Sequence, residues 1–222
     1  GGPFKNARHF DRSFANVLRQ WIDAGTPEGS PVAVADRTER FDGWRLPRKP
    51  DLEVSMAVPY AVPATGTIDY QYFVVDPKLE KDVWLSAAEV IPGDRSVVHH
   101  AIVFIRPPDG QDAYGIGWVT AFVPGQRASA FPEGYARFIP AGSKFIFQMH
   151  YTPNGVATTD QTKIGLCFAS AESVTHKVIT LVGIDQEFEI PPNVPSHRVQ
   201  ASISNLPSQG RLLAVMPHMH LR

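Results

Sequence analysis

Eight histidines occur among the 222 residues, and five of them form three groups whose types and spacing suit metal ligation. The first group is the adjacent pair His99-His100, inside the apolar run Val97–Ile105. The second is His150, in Phe147-Gln148-Met149-His150-Tyr151. The third is His218-Met219-His220, which follows Met216-Pro217. A neutral imidazole binds zinc, copper, iron or nickel through one ring nitrogen. His218 and His220 are two apart, so on a strand both project from one face and can converge on one ion. Neighbouring strand residues point to opposite faces, so His99 and His100 can share an ion only where the strand bulges, bends or ends. His150 lies 50 residues beyond His100, far enough for an adjacent strand to bring it alongside. Three histidines without a carboxylate or thiolate suit zinc or copper, with a coordination position left open. Burying two imidazoles in an apolar run costs free energy unless both are hydrogen-bonded or metal-bound, which weighs for ligation at His99 and His100. Plainer roles stay open for the rest: His150 as a satisfied core or surface residue, and His-x-His as a chance spacing. His9, His176 and His197 have polar or loop-like surroundings and are expected to face solvent.

Strands have to position these rings. Short runs rich in Val, Ile, Phe and Tyr predict strands at Tyr70–Val75, Val83–Val90, Val97–Ile105, Trp118–Val123, Lys144–Tyr151 and Lys163–Ala169. Three further candidates are Val178–Ile184, Arg198–Ile203 and Arg211–Met216. Turn clusters such as Pro107-Pro108-Asp109-Gly110 and Pro153-Asn154-Gly155 separate them. Many short strands with no helices between them predict an all-β fold: a jelly-roll sandwich over 57–175 and the start of a second over 176–222. The second unit supplies too few strands to close and is expected to be cut off, because an unpaired edge is an aggregation liability. One helix is expected before the sandwiches. Ser13 is its candidate cap, Phe14, Val17, Leu18, Trp21 and Ile22 form one apolar stripe, and Gly25 and Pro27 end it. That stripe has no nearby partner, so its partner is expected upstream of Gly1. Residues 31–56 are polar, charged and proline-bounded, and read as a linker anchored by Trp44.

Composition narrows the function. Lys plus Arg number 21 and Asp plus Glu 22, for a net charge of −1. Nucleic acid is not an expected partner, since phosphate neutralisation needs a basic excess. No apolar run approaches the ~20 residues that span a bilayer, so no membrane segment is expected. The chain starts at Gly1-Gly2-Pro3 rather than Met and carries no recognisable leader, so a processed chain or a piece of a longer one is expected. The single cysteine, Cys167, excludes a Cys-rich zinc or iron–sulfur site. It reads as a small buried hydrophobe or as half of a disulfide with a mate beyond Arg222. Glu89 and Asp94 flank the His-His strand without pairing as acid and base, and read as surface charge. Met216 is either core packing or a soft ligand on the face of His218 and His220. Trp118, Tyr114 and Tyr135 are core or rim packing, or a sugar platform.

Three motifs carry a family resemblance. Val98-His99-His100-Ala101-Ile102-Val103, then Gln148-Met149-His150-Tyr151, then Pro217-His218-Met219-His220-Leu221-Arg222 resemble the successive histidine motifs of the copper type II ascorbate-dependent monooxygenases. That family includes the peptidylglycine α-hydroxylating and dopamine β-monooxygenases. The resemblance covers about residues 57–222 and is closest to the bacterial branch, in which such domains follow a c-type cytochrome domain. It implies two jelly rolls, each with one copper, facing across a solvent-filled cleft. His99, His100 and His150 would hold the electron-transfer copper. His218 and His220 would supply two of three ligands of the oxygen-binding copper. The family's third, a methionine further along, matches no residue here. Phe14–Gly25 with Thr26-Pro27-Glu28-Gly29 resembles the closing helix of a c-type cytochrome domain, so 1–30 would be its tail. Without a Cys-x-x-Cys-His motif, haem would belong to an upstream domain only.

The resemblance further implies hydroxylation of a C–H bond in a small-molecule or peptide substrate by dioxygen. Electrons would come from ascorbate, another reductant or the cytochrome domain. It implies a periplasmic or extracellular location. The runner-up is a secreted copper-binding or electron-transfer module without oxygenase activity, and a third reading is a metal-free adhesive or carbohydrate-binding sandwich.

Overall fold

A computed structural model describes residues 12–30, 43–111, 114–115, 117–125 and 128–216. The chain divides into two units, Gly1–Thr38 and Glu39–Arg222. In the first, α1 spans Arg12–Asp23, so Ser13 lies within the helix and not at its cap. Its end follows the expected glycine chemistry. Gly25 has a φ of +81°. Its N–H bonds to Ile22 O at 2.9 Å, and Thr26 N–H bonds to Trp21 O at 2.9 Å. This paired closure satisfies carbonyls that the last turn would leave open. Trp21 Nε1 also donates to Pro27 O at 2.9 Å, which ties the proline segment to the last turn. Phe14, Val17, Leu18, Trp21 and Ile22 are all solvent-exposed.

The second unit is an all-β sandwich. Its strands in chain order are β1 (Leu52–Ser55), β2 (Tyr60–Val62), β3 (Gln71–Val75), β4 (Val83–Ile91), β5 (Val98–Arg106), β6 (Trp118–Phe122), β7 (Ser129–Ala130), β8 (Tyr135–Ile139), β9 (Lys144–Tyr151), β10 (Thr158–Asp160), β11 (Lys163–Ala169) and β12 (His176–Lys177). One sheet runs β1-β11-β4-β8-β12, with β7 also paired to β4, and the other runs β3-β9-β5-β6. β2 and β10 form a separate two-stranded ribbon. Pairing is antiparallel throughout except between β8 and β12.

Alternation explains the core. Along β9, Phe145, Phe147, Met149 and Tyr151 are buried while Lys144, Ile146, Gln148 and His150 turn outward. The inward set packs with Val98, Ala101, Val103 and Ile105 of β5, and with Leu85, Ala88 and Val90 of β4 and Ile164 and Leu166 of β11 from the facing sheet. Removing such side chains from water is the main favourable contribution to folding, ~1.5–3 kcal/mol for each large one.

The six runs predicted between Tyr70 and Ala169 are present within a residue or two of their expected limits. β1, β2, β7, β8, β10 and β12 are not among the expected strands. Most are two to four residues long, too short to show a period of their own, and in the five-residue β8 the apolar run is broken by Arg137. β1 lies in the stretch expected to be a linker. Trp44 and Leu46 of that stretch are buried as well, against Ala87 and Cys167. Trp44 donates through Nε1 to Glu53 Oε1 at 3.1 Å, and its ring lies where a β-carbon on Gly165 would meet Cζ3 at 2.9 Å. Glu89 is not surface charge. It is buried and accepts the Arg45 N–H at 2.6 Å. Cys167 is buried and unbridged, its thiol pushed up by burial.

The strands expected at Val178–Ile184, Arg198–Ile203 and Arg211–Met216 do not form: the described residues 178–216 contain no strand. A strand needs a laddered neighbour for its N–H and C=O groups. Beyond β12, Val178 N–H donates to Ala136 O at 2.8 Å and Thr180 N–H to Gly115 O at 3.0 Å, isolated bonds and not a ladder.

Candidate metal centre

His99, His100 and His150 come together on the outer face of the β3-β9-β5-β6 sheet. The means is a β-bulge. Val98 pairs with Tyr151 and His100 with His150, so two steps along β5 match one along β9 and His99 is the extra residue. The bulge answers the difficulty of neighbouring residues facing opposite ways, because an inserted residue leaves the ladder and re-aims its side chain. His150 faces outward because Tyr151 faces inward. Tyr151 stacks on Tyr60 with centroids 4.9 Å apart and donates its hydroxyl proton to Asp160 Oδ2 at 2.9 Å. Asp160 is fully buried and also accepts Asp94 N–H at 2.9 Å and Thr162 O–H at 2.8 Å. The end of β9 is thereby fixed from inside the core, and the histidine's direction with it.

The ring nitrogens converge. His99 Nδ1 lies 3.2 Å from His100 Nδ1 and 3.2 Å from His150 Nδ1. One ligand atom from each of the three residues falls within 4.8 Å of the others. Two nitrogens bound at ~2.0–2.1 Å to one ion at a tetrahedral angle would be ~3.3 Å apart. The set therefore fits a copper or zinc ion held by three Nδ1 atoms, and no carboxylate or thiolate joins this group among the described residues. Without an ion, His99 Nδ1 carries one proton or one lone pair, so it makes one ordinary N–H···N hydrogen bond at a time with its two neighbours. His100 is 4% exposed, His150 is half-buried and His99 reaches solvent, so the centre is open on one side.

Tyr70, which precedes β3, completes the surroundings. The β3–β9 register pairs Gln71 with Met149, which sets Tyr70 opposite His150. Its ring stacks on His150 with centroids 4.9 Å apart at 30°, and its hydroxyl lies 3.3 Å from His100 Nε2. Burial, reinforced by Tyr72, holds the Tyr70 phenol above its usual ionisation range. No motif marks this residue in the sequence. Its place follows from the register of β3 on β9.

The other expected site residues, His218 and His220, lie outside the described residues, as does His9. Met216 is exposed. His197 and His176 are exposed as expected, and His176 stacks on Tyr135 with centroids 4.3 Å apart. The three aromatics considered as a sugar platform each have another engagement. Trp118 meets Phe104 edge-on at 5.8 Å, Tyr135 carries His176, and the Tyr114 hydroxyl donates to Asn205 O. Compared with protein-family models, curated proteins and solved structures, the chain shows no significant match to any.

Proposed function

We propose that this chain is the metal-binding part of a copper-dependent monooxygenase. It would hydroxylate a C–H bond of a small-molecule or peptide substrate, using dioxygen and an external reductant such as ascorbate. The observation that supports the reading is the convergence of three Nδ1 atoms from His99, His100 and His150, residues whose motifs resemble those of that family. Copper bound there supplies a one-electron couple, and imidazole suits it in this role. The chain's own contribution is geometric. The bulge re-aims His99, the Asp160–Tyr151 bond fixes the strand behind His150, and the buried edge at His100 keeps that ring from solvent. His218 and His220 would hold the second ion, at which hydroxylation is carried out, and a cytochrome domain would be a second source of electrons. Such chemistry implies a periplasmic or extracellular location, where haem would reside in a separate domain.

The test uses the full-length parent protein, which would supply the third ligand of the second copper, loaded with copper. Metal analysis after dialysis should find copper retained, and ascorbate should drive oxygen uptake coupled to hydroxylated product. His218→Ala should abolish that uptake while leaving the His99/His100/His150 copper in place. Full turnover in the variant, or no copper retained by the wild type, would overturn the proposal. A second reading, a copper-binding or electron-transfer module, is favoured by the exposed edge at His99, which lets electrons reach the centre from outside. It predicts copper reduced by ascorbate with no product-coupled oxygen uptake.

A further inference from the structure

A ring that gives one nitrogen to an ion has a second nitrogen left to meet the protein, and for His100 that second nitrogen faces Tyr70. Tyr70 Oη lies 3.3 Å from His100 Nε2. A neutral imidazole has one protonated and one lone-pair nitrogen. If Nδ1 of His100 presents its lone pair to an ion, Nε2 must carry the proton and donate it, and the phenol oxygen is positioned to accept. Resting on the copper reading above, we infer that Tyr70 is a positioning residue for the metal centre: its hydroxyl oxygen accepts Nε2–H of His100 and so fixes the ligating tautomer, while its ring holds His150 by stacking.

Two independent contacts support this. The hydroxyl reaches one ligand ring and the aromatic face packs on another, at a centroid distance of 4.9 Å and an angle of 30°. Both ligands sit on adjacent strands, paired directly as His100 and His150, so a single side chain just before the third strand bears on both. Accepting the remote N–H raises the basicity of the ligating nitrogen, and loss of such a partner typically weakens metal affinity ~10–100-fold. A more basic nitrogen favours the cupric over the cuprous ion. Removing the hydroxyl should then raise the reduction potential, by about 59 mV for each tenfold difference between the two affinities.

Tyr70→Phe in the full chain separates the hydroxyl from the stack. Copper(II) affinity is measured by competition with a chelator, and the ligand field by electron paramagnetic resonance. The variant should bind copper(II) ~10–100-fold more weakly with altered hyperfine splitting, while its thermal unfolding without metal stays near that of wild type. In the cuprous protein, the His100 Nε2–H signal should exchange with solvent more slowly in wild type than in the variant. Tyr70→Leu, which also loses the stack, should bind more weakly again. Wild-type affinity, spectrum and proton protection in Tyr70→Phe would overturn the role of Tyr70 and leave the three-histidine centre standing. If wild-type protein itself holds no copper through three nitrogens, the underlying reading fails, and this inference with it.

Discussion

At the scale of single residues, the centre depends on side chains whose neighbours remove their freedom. His150 is directed outward by a neighbour pinned inward, since Tyr151 is held by Tyr60 on its face and Asp160 at its hydroxyl. A similar close fit occurs away from the centre, where the Trp44 indole covers Gly165 on β11. A β-carbon at position 165 would meet the ring at 2.9, 3.0 and 3.0 Å, so Gly165→Ala forces the indole or the strand to move. Overpacking of this kind costs ~1–3 kcal/mol. Urea denaturation should show a loss of that size, with copper affinity of the folded protein unchanged. Wild-type stability in the variant would mean that the ring yields freely. The histidine types were legible in the sequence and their meeting was foreseen. Tyr70 was not singled out, because nothing within its own segment distinguishes it from Tyr72.

At the scale of elements, the bulge in β5 is the feature that brings both rings of an adjacent pair to one side, where they could share an ion. Without residue 99 the alternation of the strand would be regular, with Val98 inward against Tyr151 and His100 outward against His150, and with Ala101, Val103 and Ile105 inward after them. Deleting His99 should therefore leave a folded sandwich, because no inward residue changes face. The same deletion should remove copper binding at this centre, since two nitrogens remain where three converged. Far-UV circular dichroism and metal analysis on one preparation would check both halves. A deletion variant that retains tightly bound copper would show that the bulge is dispensable. The sequence posed this condition for shared ligation but could not decide it, because a bulge exists only relative to the partner strand.

At the scale of the whole molecule, two buried ionisable groups set opposing responses to base. Burial first, then the Asp160 charge, raise Tyr151 well above its ordinary value of 10.0. The folded protein keeps that proton where the unfolded chain loses it, so the group's contribution is complete below about pH 10 and declines as pH rises further, by ~1.4 kcal/mol per unit. Arg137 acts in the other direction. Burial pushes it down from 12.5 to about 10, so the unfolded chain holds the extra proton there and stability rises with pH. Arg137 bonds to Gly115 O at 2.9 Å and to Thr180 Oγ1, partners it does not share with Tyr151. Tyr151→Phe should be less stable at neutral pH, having lost the bond to Asp160, yet lose stability less steeply above pH 10. Urea unfolding of both proteins between about pH 8 and 11 measures the difference, in which the Arg137 slope cancels. Parallel slopes would show that Tyr151 ionises at its usual value in the folded protein.

The sequence by itself determined the fold class, the six strands β3, β4, β5, β6, β9 and β11, the glycine-closed end of α1 and the three histidines that group on one sheet face. Periodicity and residue type suffice for those, because each is a property of a short segment read against water. Tertiary structure decided what depends on pairing. It drew Trp44, Leu46 and β1 into the sandwich from a stretch with linker composition, since their burial needs Ala87 and Cys167 from distant strands. It withheld strand structure from residues 178–216, whose apolar runs find no ladder among the described residues. It also placed Tyr70 between two ligand rings, by a register that no local pattern encodes.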